Sequence, residues 1–352
     1  MEPFIYNGLP SRVIFGAGSL EQLDREIGLL GAKRAIVLST PQQRAQAEAL
    51  AASLGSRAAG VYAEAVMHVP VETARAARDF ATQAGADCAI AIGGGSTTGL
   101  GKAIALETSL PIIAIPTTYA GSEMTPIYGL TEAGVKKTGR DLRVLPKTVI
   151  YDPALTTSLP PALSLTSGVN AIAHAAEGLY AQDANPIVSL MAEEGIHALG
   201  QGLPRVMQQP GHLAARSDCL YGAWLCGTVL GSVGMALHHK LCHTLGGTFN
   251  LPHAETHTIV LPHVLAYNRA AAPEAMKRIA RALHADDAAQ AAFDLARDHG
   301  APTALKDIGL TSTDLNVALD LALRNPYWNP RPVERIPLRA LLEAAFEGRR
   351  PD

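Results

Sequence analysis

Over about the first 150 residues the chain alternates short β-branched runs with alanine-rich amphipathic stretches, and this alternation restricts the fold more than any other feature. Parallel strands need a crossover between them, usually a helix, so the pattern predicts a parallel sheet with flanking helices. Residues 34–39 (RAIVLS) read as a strand and 44–54 as the helix after it. Residues 88–92 (CAIAI) and 111–116 (PIIAIP) read as two more strands, with a helix over 98–106 between them. Beyond Asp152 the texture changes: strand-like runs nearly vanish, and residues 167–180, 187–200 and 213–245 carry helical spacing. Pro153, Pro160 and Pro161 punctuate the change. The expected organisation is an α/β domain over 1–157 followed by an all-helical domain over 158–352.

With 48% hydrophobic and 17% charged residues the chain can bury one large or two ordinary cores, which excludes disorder. The balance of 29 Lys+Arg against 32 Asp+Glu leaves no basic footprint for nucleic acid or an anionic membrane. Cys88, Cys219, Cys226 and Cys242 form no close CxxC pair and lie in apolar surroundings, which reads as reduced structural thiols in a cytoplasmic protein. The start, MEPFIYNGLP, lacks the basic and apolar regions of a signal peptide. Residues 221–237 carry no charge, but they are short and glycine-studded and run into His238, His239 and Lys240, so they read as a buried helix rather than a membrane span.

Gly93, Gly94, Gly95 and Ser96 lie between an expected strand and an expected helix, where missing side chains let backbone N–H groups and a helix N-terminus approach a phosphate. The run is not GxGxxG, so a plain tight turn competes with a dinucleotide site. A second polar turn, Pro116 to Ser122, follows the next strand at the end where open α/β sheets bind ligands. The strand RAIVLS ends in Ser39 rather than in an acid, which admits NADPH as well as NADH. Six of the twelve histidines, His238, His239, His243, His253, His257 and His263, fall in one short segment. Asn170 and His174 share a helix face at a spacing repeated by His239 and His243. Convergent imidazoles can bind a divalent metal, but such a site normally includes a carboxylate, and the expected place holds the neutral Asn170. His68, His197, His212, His284 and His299 read as ordinary hydrogen-bonded core or surface residues.

With GGGS after one strand, PTTYAGSE after the next, GVNAIAHAAE opening the helical half and HKLCHTLGGTFNLPH beyond it, the chain resembles the iron-containing alcohol dehydrogenase superfamily over nearly its whole length. In GGGSTTGLGK, VLSTPQQ, HHKLCHTLGGTFNLPHAETH and NPYWNPRPVE it is similar to one branch, the maleylacetate reductases. The resemblance implies a dehydroquinate synthase-like fold with its active site in the cleft between the domains. It also implies NADH or NADPH held by Gly94, Gly95, Ser96, Thr117, Thr118 and Ser122, with Ser39 and Lys137 as further cofactor contacts. Metal-dependent relatives bind Fe or Zn through an Asp and three His at the positions of Asn170, His174, His239 and His253, and many carry Asp where this chain has Gly99. Both departures fit the branch named, which is regarded as acting without a metal, so no metal is expected. If the alternative of a metal-dependent alcohol or polyol dehydrogenase holds, the ligands are His174, His239 and His253.

The reaction implied is hydride delivery to the C=C of 2-maleylacetate, β to its ketone, which generates an enolate that is protonated at the α carbon to 3-oxoadipate. Convergent imidazoles and a Lys can stabilise such an oxyanion. His243 is the expected proton donor or oxyanion partner, with His174, His239, His253 and Lys240 as further catalytic donors. A dicarboxylate needs cations or aligned donors, for which Arg331, Tyr327 and Asn170 are the substrate-binding candidates beside Lys240. The residues 325–332 (NPYWNPRP) are too proline-rich for a helix and read as a loop near the site. Residues 4–6 and 13–15 are expected as edge strands pairing across a homodimer.

Overall fold

The structure, a computed structural model, describes residues 4–132, 135–324 and 327–352. The chain forms two compact units, Gly8–Ser158 and a second built from Leu159–Asp352 with residues 4–7.

The first unit holds strands β1 (Arg12–Phe15), β2 (Ala35–Leu38), β3 (Ala58–Tyr62), β4 (Cys88–Gly93), β5 (Ile112–Pro116), β6 (Ile127–Glu132), β7 (Val135–Arg140) and β8 (Thr148–Tyr151). Its α-helices are α1 (Leu23–Leu29), α2 (Arg44–Leu54), α3 (Val71–Gln83) and α4 (Gly95–Thr108). Six strands form one sheet in the order β1-β8-β5-β4-β2-β3, parallel at every pairing. β2, β4 and β5 are buried along their whole length, which is why they read as continuous apolar runs. The period of two sorts their side chains: Val37, Ile90, Ile92, Ile113 and Ile115 pack with Leu23, Ile27, Ala47 and Leu50, whereas Ile36, Leu38 and Ala89 face Leu100 and Ile104. Outside this sheet, β6 and β7 make an antiparallel hairpin.

The second unit is helical: α5 (Pro161–Leu179), α6 (Pro186–Gln208), α7 (Leu213–Ser232), α8 (Leu237–Phe249), α9 (His253–Asn268), α10 (Pro273–Ala282), α11 (Ala288–Asp298), α12 (Asp314–Ala322) and α13 (Arg335–Glu347). α5 is buried continuously from Ser164 to Leu179. The fully buried Arg216 of α7 ties down the start of α5, donating to Ser164 Oγ at 2.6 Å, Leu159 O at 2.9 Å and Pro210 O at 2.9 Å.

The α/β-then-helical architecture expected from the sequence is the one observed, with four corrections. The helix after the glycine run starts at Gly95 rather than Thr98, because the glycines themselves supply its first turn. The stretch 213–245 is two helices bent by 96°, so 221–237 is not one helix, and no single described helix is long and apolar enough to cross a membrane. The β6–β7 hairpin has no counterpart in the sequence reading. Residues 4–6 form no strand, having no pairing partner within one chain, while 13–15 do lie in the edge strand β1.

Candidate active site

In the first unit the glycine run joins β4 to α4. Gly93 has φ +151°, and a Cβ there would stand 2.5 Å from Thr97 Oγ1 and 2.8 Å from Gln43 Oε1. A Cβ on Gly94 would lie 2.9 Å from Thr118 Cγ2, so Thr118 closes directly over the glycine backbone. Gly94 is the N-cap of α4 and no side chain caps it, while Gly95 is exposed and Ser96 half-buried. A helix N-terminus with bare first-turn N–H groups is suited to an anion, and the glycine cradle fits a dinucleotide pyrophosphate. Thr117 N donates to Gly93 O at 3.0 Å, and its Oγ1 accepts from Gln43 Nε2 at 2.9 Å. Gln43, within the quoted VLSTPQQ, therefore buttresses the cradle although the sequence reading did not single it out. Ser39 is buried at the end of β2 and donates to Thr40 O. Lys137 is exposed on β7 and paired with Glu132 at 2.8 Å. At Gly99 a Cβ would meet Val69 Cγ2 at 2.8 Å, so Val69 occupies the space that an Asp there would need.

A second residue missed from sequence is Lys102. It is fully buried on α4, with its Nζ at 2.7 Å from Ser122 O, 2.8 Å from Thr125 O, 2.7 Å from Ile127 O, 2.9 Å from Thr125 Oγ1 and 3.2 Å from Ser122 Oγ. Burial pushes the ammonium down to about 7, against the opposing charge of Glu123. Glu123, itself pushed up by burial, accepts from Tyr151 Oη at 2.8 Å.

In the second unit the histidines converge. His174 Nδ1 and His239 Nε2 are 2.7 Å apart, and His239 Nδ1 is 2.7 Å from Glu177 Oε2. Glu177, one turn beyond His174 on α5, is fully buried and also accepts the backbone N–H groups of Ala236 at 2.8 Å, His238 at 2.7 Å and His239 at 3.4 Å. It thereby satisfies the start of α8, which carries no cap of its own. Glu177 stood inside the quoted GVNAIAHAAE, yet nothing in its spacing distinguishes it from a surface acid.

His253 opens α9 with its ring 4.4 Å from that of His257, which lies 5.1 Å from His239 and 6.1 Å from His174. His243 is exposed, its ring 6.1 Å from His239. Lys240 Nζ stands 5.5 Å from the centroid of Tyr327. The Tyr327 hydroxyl is buried without a hydrogen-bond partner among the described residues, and burial, then Glu177, raises its pKa. Asn170 is buried with Oδ1 likewise unpartnered among the described residues. Arg331 lies elsewhere: its guanidinium stacks 4.2 Å from the Tyr267 ring near the far end of α9 and donates to Tyr267 O at 3.2 Å. In the proline-rich loop, Asn325 and Pro326 lie outside the described residues, and Tyr327 to Glu334 is irregular as expected.

Two metal sets can be tested on these donors. At the positions of Asn170, His174, His239 and His253, two facing imidazole nitrogens are spent on each other, and the acidic ligand that a hard cation requires is replaced by an amide. Glu177 cannot supply that charge, because its oxygens are taken by three N–H groups and His239. The residues do not fit iron. His238, Cys242 and His257 also bring donors within 4.8 Å of one another. His238 Nε2 and His257 Nδ1 are already hydrogen-bonded to each other at 2.9 Å, and burial, then Glu177, holds the Cys242 thiol far above its usual range. All four cysteines are free and buried.

Comparison with known proteins adds independent findings. Residues 10–153 match the iron-containing alcohol dehydrogenase family model, and residues 164–346 match that of the C-terminal part of the Fe-containing alcohol dehydrogenases. The maleylacetate reductase of Burkholderia cepacia is 62% identical over 351 residues, covering both chains completely. A crystal structure of the maleylacetate reductase of Agrobacterium tumefaciens superposes with a TM-score of 0.96 at 56% identity, with 100% of each chain covered. A crystal structure from Ralstonia eutropha JMP134, provisionally assigned as an alcohol dehydrogenase, gives a TM-score of 0.99 at 70% identity over 100% of both chains.

Proposed function

The chain belongs to the iron-containing alcohol dehydrogenase family, and on that premise we propose that it is an NAD(P)H-dependent reductase of 2-maleylacetate, yielding 3-oxoadipate without a bound metal. The substrate reading is supported by the full-length identity to named maleylacetate reductases. The observation that carries the mechanism is the continuous Glu177–His239–His174 chain, at 2.7 Å twice, where metal-dependent relatives place ligands.

Reduced nicotinamide, when bound at the glycine cradle, supplies the hydride. Everything else falls to side chains. Glu177, held as an acceptor by three backbone N–H groups, takes the Nδ1–H of His239. A neutral His239 then presents a bare Nε2, which obliges His174 to donate through Nδ1. When the relay gains a proton, His239 donates instead, and His174 carries its N–H on Nε2. Charge accumulating on the ketone oxygen is met by the Nε2–H that His174 carries in the protonated relay and by the Tyr327 hydroxyl, which its raised pKa keeps protonated. The exposed imidazole of His243, beside His239, exchanges protons with solvent and is the donor to the α carbon. Lys240 is assigned to one substrate carboxylate. Arg331, stacked on Tyr267 near the far end of α9, is not assigned to the substrate. We place the enzyme in the cytoplasm as a homodimer, which agrees with its free cysteines and with the open edge of β1.

The test is loss of reduced-nicotinamide absorbance on adding maleylacetate, with NADH and NADPH in turn, before and after exhaustive chelation. Turnover unaffected by chelation is expected. Activity lost on chelation and restored by Fe or Zn refutes the metal-free mechanism, and binding of dinucleotide without turnover refutes the enzymatic reading.

A further inference from the structure

We infer that Lys102 is a positioning residue for the dinucleotide: without touching it, Lys102 holds the second cofactor-facing turn against the glycine cradle. The inference rests on the proposed dinucleotide site. Lysine is almost never fully buried unless it is paired, and here it stands in the middle of α4, two turns beyond the glycine run. Its three N–H donors meet five oxygens, three of them backbone carbonyls of Ser122, Thr125 and Ile127. Those carbonyls come from a stretch with little regular structure of its own, a short 3-10 turn at Ser122–Met124 leading into β6. The segment is thus folded around the ammonium, which replaces the ladder partners that a strand would have supplied.

The same stretch continues directly from Thr117 and Thr118, the residues that close on Gly93 and Gly94. One end of α4 therefore offers its N-terminus to the phosphates, while its middle anchors the turn that forms the opposite wall. Glu123, buried and hydrogen-bonded to Tyr151 of β8, supplies the opposing charge that lets an ammonium remain in this interior. Lys102→Met keeps the length and removes every donor, leaving three carbonyls turned inward with nothing to bind. The turn then relaxes outward, and the cost falls on dinucleotide binding rather than on the relay histidines, which lie in the other unit.

The experiment compares the wild type, Lys102→Met and Thr125→Val as purified full-length proteins. Dissociation constants for NADH and NADPH come from nicotinamide fluorescence, and kcat and KM for maleylacetate are measured at saturating cofactor. Lys102→Met should bind both dinucleotides at least tenfold more weakly, with kcat at saturation and KM for maleylacetate within twofold of the wild type. Thr125→Val, which removes only the 2.9 Å hydroxyl contact, should shift cofactor affinity the same way by a few-fold. A folded Lys102→Met with unchanged cofactor affinity overturns the proposal, as does a fall in kcat with cofactor affinity intact, which is the signature of a merely structural lysine. If Lys102→Met does not fold, unchanged cofactor affinity in Thr125→Val overturns it instead. A wild-type protein that binds neither dinucleotide refutes the underlying site, a different failure from wild-type binding that the substitution leaves untouched.

Discussion

Replacing Glu177 by Gln tests the relay and the packing of α8 together. The carboxylate accepts four hydrogen bonds, from Ala236 N, His238 N, His239 N and His239 Nδ1, with its two oxygens sharing the load. An amide of the same shape keeps one oxygen and turns an NH2 toward donors that also carry hydrogen. Whichever way it is oriented, at least one backbone N–H of the α8 start is left buried and unpaired, and the favourable charge at that helix N-terminus is lost. Hydrogen bonds to charged groups contribute about 1.5–3 kcal/mol each, so losing one or two of them gives a destabilisation of about 1.5–6 kcal/mol. For a unit of this size that corresponds to a fall in melting temperature of about 10 °C.

Chemical denaturation at pH 7 reads the stability, and nitrogen NMR of the histidines reads which His239 nitrogen carries the proton. The expected result is the full destabilisation, loss of the preference for the Nδ1–H form of His239, and a fall in kcat of at least tenfold with cofactor affinity unchanged. Glu177→Gln with wild-type stability and an unaltered His239 tautomer would refute the assignment of the carboxylate as the anchor of the relay.

Four further outcomes follow from the same geometry. Gly93→Ala places a Cβ 2.5 Å from Thr97 Oγ1 at a φ of +151° and should weaken NADH binding at least tenfold, read by fluorescence titration; binding at wild-type strength contradicts the cradle. His243→Ala should lower the rate of reduction in single-turnover measurements while leaving NADH affinity near that of the wild type, and an unchanged rate removes its role as proton donor. His263 is buried, and burial, then Arg349, lowers its pKa from 6.5 to about 4, so the unfolded chain takes up a proton below pH 6.5 that the folded protein refuses until about pH 4. Its contribution is present above pH 6.5 and lost as the pH falls toward 4, a difference of about 3 kcal/mol relative to His263→Gln across that window, measured by denaturation at each pH. Arg331→Ala should lower stability through its lost stacking on Tyr267 and leave KM for maleylacetate near that of the wild type, whereas Lys240→Ala raises KM; the reverse order refutes the assignment of Lys240.

Periodicity carried the reading of the architecture because β2, β4 and β5 are buried on both faces and the helices between them bury one side, so burial wrote itself directly into residue type. The β6–β7 hairpin escaped because Ile127–Glu132 and residues 137–140 are half-buried or exposed and include threonine, glycine and lysine, a pattern that resembles a loop. The break at Val233–Ala236 escaped because apolar residues continue through it; what holds it is supplied from far along the chain, Asp183 receiving the N–H of Gly234 and Glu177, almost 60 residues earlier, that of Ala236 at the start of α8. The histidine set was legible from spacing because i and i+4 on one helix must share a face. Their partners were not: Glu177, Lys102 and Gln43 are polar residues whose meaning lies in what surrounds them. A carboxylate gripped by three backbone amides and an ammonium gripped by three carbonyls look, in a sequence, like any Glu and any Lys.

The electrostatics of the cluster explain why Asn at 170 and Glu at 177 belong together. A buried divalent cation needs negative charge among its ligands, and an Asp at 170 without that cation would place a second carboxylate in the interior with Glu177. An Asp there, two turns before Glu177 on α5, would add a second buried negative charge to the same helix, with no cation to offset it. Asn170 removes that second charge while keeping a polar group of the same size. Glu177 is then free to act as the single fixed acceptor that orders His239 and, through it, His174. Restoring an acid with Asn170→Asp should therefore either recruit a divalent metal, detectable by elemental analysis, or displace the pH–rate profile; an apoenzyme with an unmoved profile would show that the charge at 170 does not govern the cluster.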